Sequence, residues 1–190
     1  WYCGCTPSAA SRPEPVADYL DALAAEIGMV AGRLPRRLKV SHLHFGGGTP
    51  TIVAPDQFLA LMARLRDAFD IRPGAELAIE IDPRVLTARM ADALGAAGIN
   101  RASLGVQSLD PAVQAAINRL QGLDETMRAI DRLRAAGIAG INIDLIYGLP
   151  RQTVESAVAT AEACAALRPD RFSVFGYAHV PGFKRHQRKI

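Results

Sequence analysis

Cysteine is scarce: only Cys3, Cys5 and Cys164 occur in 190 residues. So small and odd a number argues against a disulfide framework and for a reducing compartment, here the cytoplasm. No apolar run approaches the roughly 18–20 residues of a membrane span, so no membrane partner is expected. Trp1-Tyr2-Cys3-Gly4-Cys5 lacks the basic and apolar regions of a secretory leader. There is also no initiator Met, and the natural chain is expected to begin earlier. Charge of one sign is short as well. Against 19 Asp and Glu stand 22 Lys and Arg, a net +3, which makes no case for a nucleic-acid partner. The one dense basic run is Lys184-Arg185-His186-Gln187-Arg188-Lys189. It reads as an exposed helix start or as an anion-facing patch.

What is present is a soluble globular composition, 49% hydrophobic, long enough for one domain with a core. Helical periodicity is clear. Val16, Leu20, Leu23 and Ile27 recur at helical spacing, as do Phe58, Leu61, Met62, Leu65 and Phe69, then Leu86, Met90 and Leu94, then Met127, Ile130 and Leu133. Pro55-Asp56, Asp110-Pro111 and Thr153 read as helix starts. Gly98 and Gly137, each after Ala-Ala, suit a left-handed C-terminal cap. Between helices lie the β-rich runs Leu38 to Phe45, Leu77 to Ile81, Arg101 to Val106, Ile141 to Ile146 and Phe172 to Tyr177. Most are near-continuously apolar, the pattern of parallel strands covered on both faces. Repeated βα units predict a parallel sheet with right-handed crossovers, either doubly wound or a full or partial (β/α) barrel. About five strands are too few for a complete barrel. Cys164 falls in a helical stretch and reads as a small buried apolar residue.

In such folds ligands bind at the C-terminal ends of the strands. The first run ends in Gly46-Gly47-Gly48-Thr49-Pro50. The second carries Glu80 and Asp82-Pro83. The third ends in Gln107-Ser108, the fourth holds Asp144 and runs to Tyr147-Gly148, and the fifth ends in Tyr177-Ala178-His179. Five polar or glycine-rich ends on one edge point to a shared ligand site. Three glycines in a row let backbone groups approach a ligand closely. The run is not a phosphate-binding P-loop, because no Gly-Lys-Ser/Thr follows. A carboxylate such as Glu80 or Asp144 in an apolar strand is costly without donors, so each faces solvent or a ligand. Arg119 reads equally as a clamp for a carboxylate or as a surface residue at the end of a 110–120 helix.

Cys3 and Cys5 are too close in sequence for an easy disulfide and read better as metal binding. Trp1-Tyr2-Cys3 resembles the tail of the Cys-x-x-x-Cys-x-x-Cys motif that holds a 4Fe–4S cluster in radical S-adenosylmethionine (SAM) enzymes. Gly46 to Pro50 then resembles that superfamily's glycine-rich strand end. Four stretches are similar to the oxygen-independent coproporphyrinogen III dehydrogenase family: Glu80 to Pro83, Asn100 to Gln107, Asn142 to Pro150 and Phe172 to His179. The closing Gln187-Arg188-Lys189-Ile190 is similar too, so the resemblance covers essentially the whole chain.

This resemblance implies an α/β fold: a partial (β/α) TIM-like barrel of the radical SAM type, with parallel strands and outer helices, truncated at both ends. Residues 1–190 would be one core domain without its first strand, two cluster cysteines and a C-terminal domain. It implies Cys3 as a cluster ligand and Cys5 as an additional, non-ligating cysteine. Tyr2, Gly47, Gly48, Thr49, Glu80, Gln107, Arg119, Asp144 and Ala178 match positions that contact SAM, of which two molecules are expected. Arg119 suits a methionine carboxylate, and Glu80 and Asp144 suit hydroxyls or an ammonium. The implied partners are coproporphyrinogen III and an electron donor such as flavodoxin or ferredoxin, with the protein a monomer. The implied reaction cleaves SAM to a 5′-deoxyadenosyl radical, which abstracts hydrogen from two propionates in turn; each loses CO₂, giving protoporphyrinogen IX. The isolated 190 residues are expected to be inactive. The alternative implied by the same fold is a haem-binding chaperone. Gly4-Cys5 after Cys3 favours the dehydrogenase.

Overall fold

The computed structural model describes residues 14–189. Its elements run α1 (Glu14–Arg33), β1 (Lys39–Phe45), α2 (Pro55–Ala68), β2 (Asp70–Ile81), α3 (Ala88–Ala96), β3 (Arg101–Gln107), α4 (Pro111–Ala116), α5 (Leu123–Ala135), β4 (Gly140–Tyr147), α6 (Val154–Ala166) and β5 (Arg171–Gly176). Short 3₁₀ turns cover Pro50–Ile52 and Arg185–Lys189. All five strands are parallel and lie in sequence order, β1-β2-β3-β4-β5. Sequential parallel order with helical returns is the arrangement of a (β/α) barrel segment. No described helix is long and apolar enough to cross a membrane.

The helices begin and end where local chemistry dictates. Thr87 accepts from the Met90 N–H at 3.1 Å, and Asp110 accepts from Ala112 and Val113 at 2.8 and 3.0 Å. Thr153 accepts from Ser156 at 3.1 Å. Each satisfies donors that the first turn leaves open. Gly98 and Gly137 take φ of +82° and +84°. There the Ile99 N–H reaches back to the Leu94 carbonyl and the Ile138 N–H to that of Leu133, closing α3 and α5 in the same way.

Burial follows strand alternation. Ile79 and Ile81, Ala102, Leu104 and Val106, and Ile141, Ile143 and Leu145 turn toward the helices and are buried. They form one cluster with Phe58, Met62, Met90, Leu94, Ile130 and Leu133. Burying such side chains contributes about 1.5–3 kcal/mol each. The opposite faces of these strands carry Glu80, Ser103, Asn142 and Asp144. The uniformly apolar look of the strands overstated their coverage. Only β2, β3 and β4 are well buried, whereas β1 and β5 are largely exposed, with Val174 and Phe175 open.

Three further expectations are corrected. β2 starts at Asp70 and not at Leu77. Asp70 and Ile71 pair with Lys39 and Val40, and pairing resumes only at Glu76 with His42. The chain bulges between them through Gly74, whose φ is +78°. The helix expected over 110–120 ends at Ala116, and the chain turns over Asn118 in a left-handed conformation. That turn carries Arg119 inward, and its side chain is only 12% exposed. In the basic run, Arg185 and Arg188 are exposed but Gln187 is fully buried.

The seam between α3 and α5 tolerates no side chain at Gly95. A β-carbon there would collide with the Ala136 carbonyl oxygen. Gly95→Ala should therefore lower stability by about 1–3 kcal/mol through forced separation of the two helices. The denaturant midpoint of the purified protein measures this.

Candidate functional site

Parallel register stacks the inward residues in rows. Glu80 lies beside Ser103, which lies beside Asn142, and Gly105 lies beside Asp144, which lies beside Ser173. Above these rows, at the C-terminal strand ends, a cavity of about 600 Å³ opens. That is a size suited to a small organic ligand. Gly48, Thr49, Glu80, Gln107, Arg119 and Asp144 all line it. Gly47 adjoins it by donating its N–H to Glu80 at 3.1 Å. Ala178 does not line it. Its carbonyl instead accepts from the buried Gln187 amide at 3.2 Å. Tyr2, Cys3 and Cys5 lie outside the described residues.

Around Glu80 the fold builds a hinge between β1 and β2. Gly47 and Gly48 take φ of +82° and +51°, a region open to glycine at little cost. This conformation turns the Gly47 N–H onto the carboxylate. His44 Nε2 lies 3.4 Å from Glu80 Oε1. A β-carbon at Gly46 would stand only 3.0 to 3.1 Å from these two side chains, so the turn packs directly on them.

Arg119 and Asp82 form the second feature. The Arg119 guanidinium contacts both Asp82 oxygens at 3.3 and 3.4 Å and donates to the Gly105 carbonyl at 2.7 Å. Its Nε is buried without a hydrogen-bond partner. Arg84 meets Asp82 from the other side at 2.6 Å. Burial alone would raise the Asp82 carboxyl. The hydrogen bond from Arg84 and the charges of Arg119 and Arg84 outweigh it and hold the group below the ordinary carboxylate range. Gln107, closing β3, has φ of +69°, an uncommon backbone state for a residue with a side chain. A β-carbon at Gly105 would fall 2.9 Å from the Gln107 amide nitrogen, so the glycine leaves room for that side chain.

Asp144 is the third. Ser103 Oγ donates to its two oxygens at 3.0 and 2.9 Å, and Asn142 Nδ2 donates at 2.7 Å. Burial pushes its carboxyl up, opposed chiefly by hydrogen bonds from Ser103 and Asn142, with the Glu80 charge adding to the rise. Sequence reading missed His44, Ser103, Asn142 and Ser173. Only Asn142 carried a signal, two residues before Asp144 on the same strand; the others lie on different strands and are brought in by register.

These donors and acceptors fit S-adenosylmethionine. Glu80 and Asp144 offer acceptors for an ammonium or ribose hydroxyls, and Arg119 has an unsatisfied donor beside the cavity. Ile81, Ile146 and Phe175 supply apolar wall. A metal is different. Among the described residues no group of three His, Cys, Asp or Glu side chains could hold one. Cys164 is buried in the core, its thiol pushed up to about 11 by burial, and stands apart from the cavity.

Comparison with known proteins is consistent with this geometry. The model of the radical SAM superfamily matches residues 1–164. An oxygen-independent coproporphyrinogen III oxidase of Bradyrhizobium diazoefficiens is 59% identical over 190 residues, covering 100% of this chain and 42% of that protein. The protein of the same name from Escherichia coli is 43% identical over 194 residues, covering 100% of this chain and 41% of its own length. The solved structure of coproporphyrinogen III oxidase from Escherichia coli, described as a radical SAM enzyme, superposes with a TM-score of 0.92. It is 43% identical and matches 100% of this chain and 43% of that one. The chain thus spans about two fifths of the length of the curated relatives it matches.

Proposed function

Because the chain belongs to the radical SAM superfamily, for which a 4Fe–4S cluster and SAM are the cofactors, we propose that its protein oxidatively decarboxylates coproporphyrinogen III. Two propionates become vinyl groups, and protoporphyrinogen IX results. The observation that carries the reading is that Gly48, Thr49, Glu80, Gln107, Arg119 and Asp144, from separate βα units, converge on one cavity. The choice of substrate is supported by the likeness to the coproporphyrinogen III oxidases.

When bound, SAM with the reduced cluster supplies one-electron chemistry able to abstract hydrogen from carbon. The protein's own residues bind and orient. Cys3 would ligate the cluster, and Tyr2 would contact SAM. Gly47, Gly48 and Thr49 present backbone to the ligand's amino end, and Glu80 accepts from it while fixing the turn. Arg119, its fork engaged by Asp82, lines the cavity and would present its positive charge to a carboxylate. Gln107 and Asp144 hold polar groups farther along the strand ends, and Ala178, outside the lining of this cavity, enters the reading by resemblance alone. Two SAM molecules are proposed, one toward Glu80 and one toward Asp144. Each propionate loses one hydrogen atom, CO₂ and one electron, the electron passing to a one-electron acceptor that the reaction also requires. The electron donor is of the flavodoxin or ferredoxin kind. The protein acts as a monomer in the cytoplasm, without nucleic-acid or membrane partners. Residues 1–190 form its radical SAM core domain.

Equilibrium binding tests this reading. The protein expressed from its complete gene, reconstituted anaerobically with iron and sulfide, should bind two SAM molecules and cleave SAM only with a reductant. Absence of SAM binding would end it.

A further inference from the structure

The side chains beneath Asp144 form a directed chain across three strands. Ser173 on β5 donates its hydroxyl to Asn142 Oδ1 at 3.1 Å. That bond fixes the Asn142 amide with its nitrogen toward β3. One Nδ2 proton goes to Ser103 Oγ at 2.6 Å and the other to Asp144 Oδ1 at 2.7 Å. Ser103, its lone pair engaged by Asn142, turns its own proton onto Asp144 at 2.9 to 3.0 Å. The reverse amide orientation would set an oxygen against a carboxylate 2.7 Å away, which electrostatics forbids. Asn142 is 1% exposed, so its amide depends on these partners and not on water, whereas Ser103, Ser173 and Asp144 line the cavity.

We propose that Ser103, Asn142 and Ser173 are positioning residues, a one-way hydrogen-bond chain that keeps Asp144 an acceptor aimed at the ligand in the cavity. The inference rests on the reading of that cavity as a SAM site. The Asn142 and Ser103 protons point onto Asp144, so the arrangement favours its ionised form. The oxygens left over then accept from the ligand's hydroxyl or ammonium groups. A protonated Asp144 would lose acceptor capacity and the charge that pairs an ammonium, which has no acceptor for its proton.

The surroundings make this control necessary. Burial disfavours the Asp144 carboxylate, and the Glu80 charge adds to that. The other charged or titratable groups lining the cavity are His44 from β1, Asp82 and Arg84 just after β2, Arg101 from β3 and Arg119 after α4. The cations among them are engaged elsewhere: Arg119 and Arg84 bond Asp82, and Arg101 bonds Glu76 at 2.7 Å. The neutral donors of the chain therefore take the place of a cation at Asp144.

The test is an infrared pH titration of the protein expressed from its complete gene, with Asp144→Asn identifying the carboxyl band. Ser103→Ala and Asn142→Ala should move the Asp144 protonation midpoint up by about one pH unit or more. Ser173→Ala should move it less, and Ser173→Thr, which keeps the hydroxyl, should restore it. SAM affinity measured alongside should fall as pH drops through the displaced midpoint. Thermal unfolding identifies variants that fail to fold, and if Asn142→Ala is one, Ser103→Ala and the Ser173 pair carry the test. A midpoint unmoved by Ser103→Ala overturns the proposal. A midpoint that moves as expected in a protein that binds no SAM sustains the chain and removes the ligand assignment instead.

Discussion

Arg119→Leu, in the protein expressed from its complete gene, is expected to lower both stability and SAM affinity, each substantially. The Arg119 and Asp82 side chains are 12% and 13% exposed. Removing one partner of a buried pair typically costs about 3–5 kcal/mol. Asp82 keeps Arg84 at 2.6 Å, which lowers the expected loss to about 2–3 kcal/mol. The Gly105 carbonyl also loses its 2.7 Å donor. Affinity should fall roughly 30- to 1,000-fold, the range for truncating one member of a buried charged hydrogen bond. Arg119→Lys keeps the charge without the planar fork and should recover stability better than affinity. The acid limb of stability carries a signed consequence. Asp82 titrates below its ordinary range when folded, so its contribution is full above about pH 4 and is lost as pH falls through the depressed value. Removing Arg119 raises that value toward normal and should flatten the acid limb. Denaturant melts at several pH values, paired with equilibrium SAM binding, measure both effects. Unchanged affinity would take Arg119 out of the ligand site.

Glu80→Gln should separate the two quantities that Arg119→Leu couples. The Glu80 side chain is 45% exposed, so its charge matters little to folding. Glutamine can still accept from the Gly47 N–H through its amide oxygen. Stability should change by less than about 1 kcal/mol, as for most surface substitutions. SAM affinity should drop roughly 30- to 300-fold, because a charged hydrogen bond is replaced by a neutral one with a donor facing the ligand. Glu80→Ala should add disorder of the Gly46 to Gly48 turn, visible as faster amide exchange there. A Glu80→Gln protein that binds SAM normally would leave Glu80 with only its role in fixing the turn.

Much of this was legible in the residues, and the exceptions share a cause. Five apolar runs, three helix starts and two glycine C-caps are local signals, and local chemistry decides them. Glu80 and Asp144 stood out because a carboxylate in an apolar strand demands a partner. Ser103, Asn142, Ser173 and His44 did not, because such residues are unremarkable until register places them beside a carboxylate. Arg119 was ambiguous for the same reason. Its inward course depends on where α4 stops and on a left-handed residue at Asn118. The early start of β2 was hidden by Arg72-Pro73-Gly74, which reads as a turn and is accommodated as a bulge. Ala178 rested on resemblance alone, and no physical property of alanine could place it. The family, by contrast, was carried by motifs spread along the chain, and spacing over such a length is insensitive to local error.

The most direct measurement is turnover. The protein expressed from its complete gene, reconstituted anaerobically, is given SAM, a reductant and coproporphyrinogen III, with Cys3→Ala run in parallel. Protoporphyrinogen formed with two CO₂ released per substrate, and abolished by Cys3→Ala, is the predicted result. SAM cleaved while the porphyrinogen stays intact, or full turnover by Cys3→Ala, would contradict it.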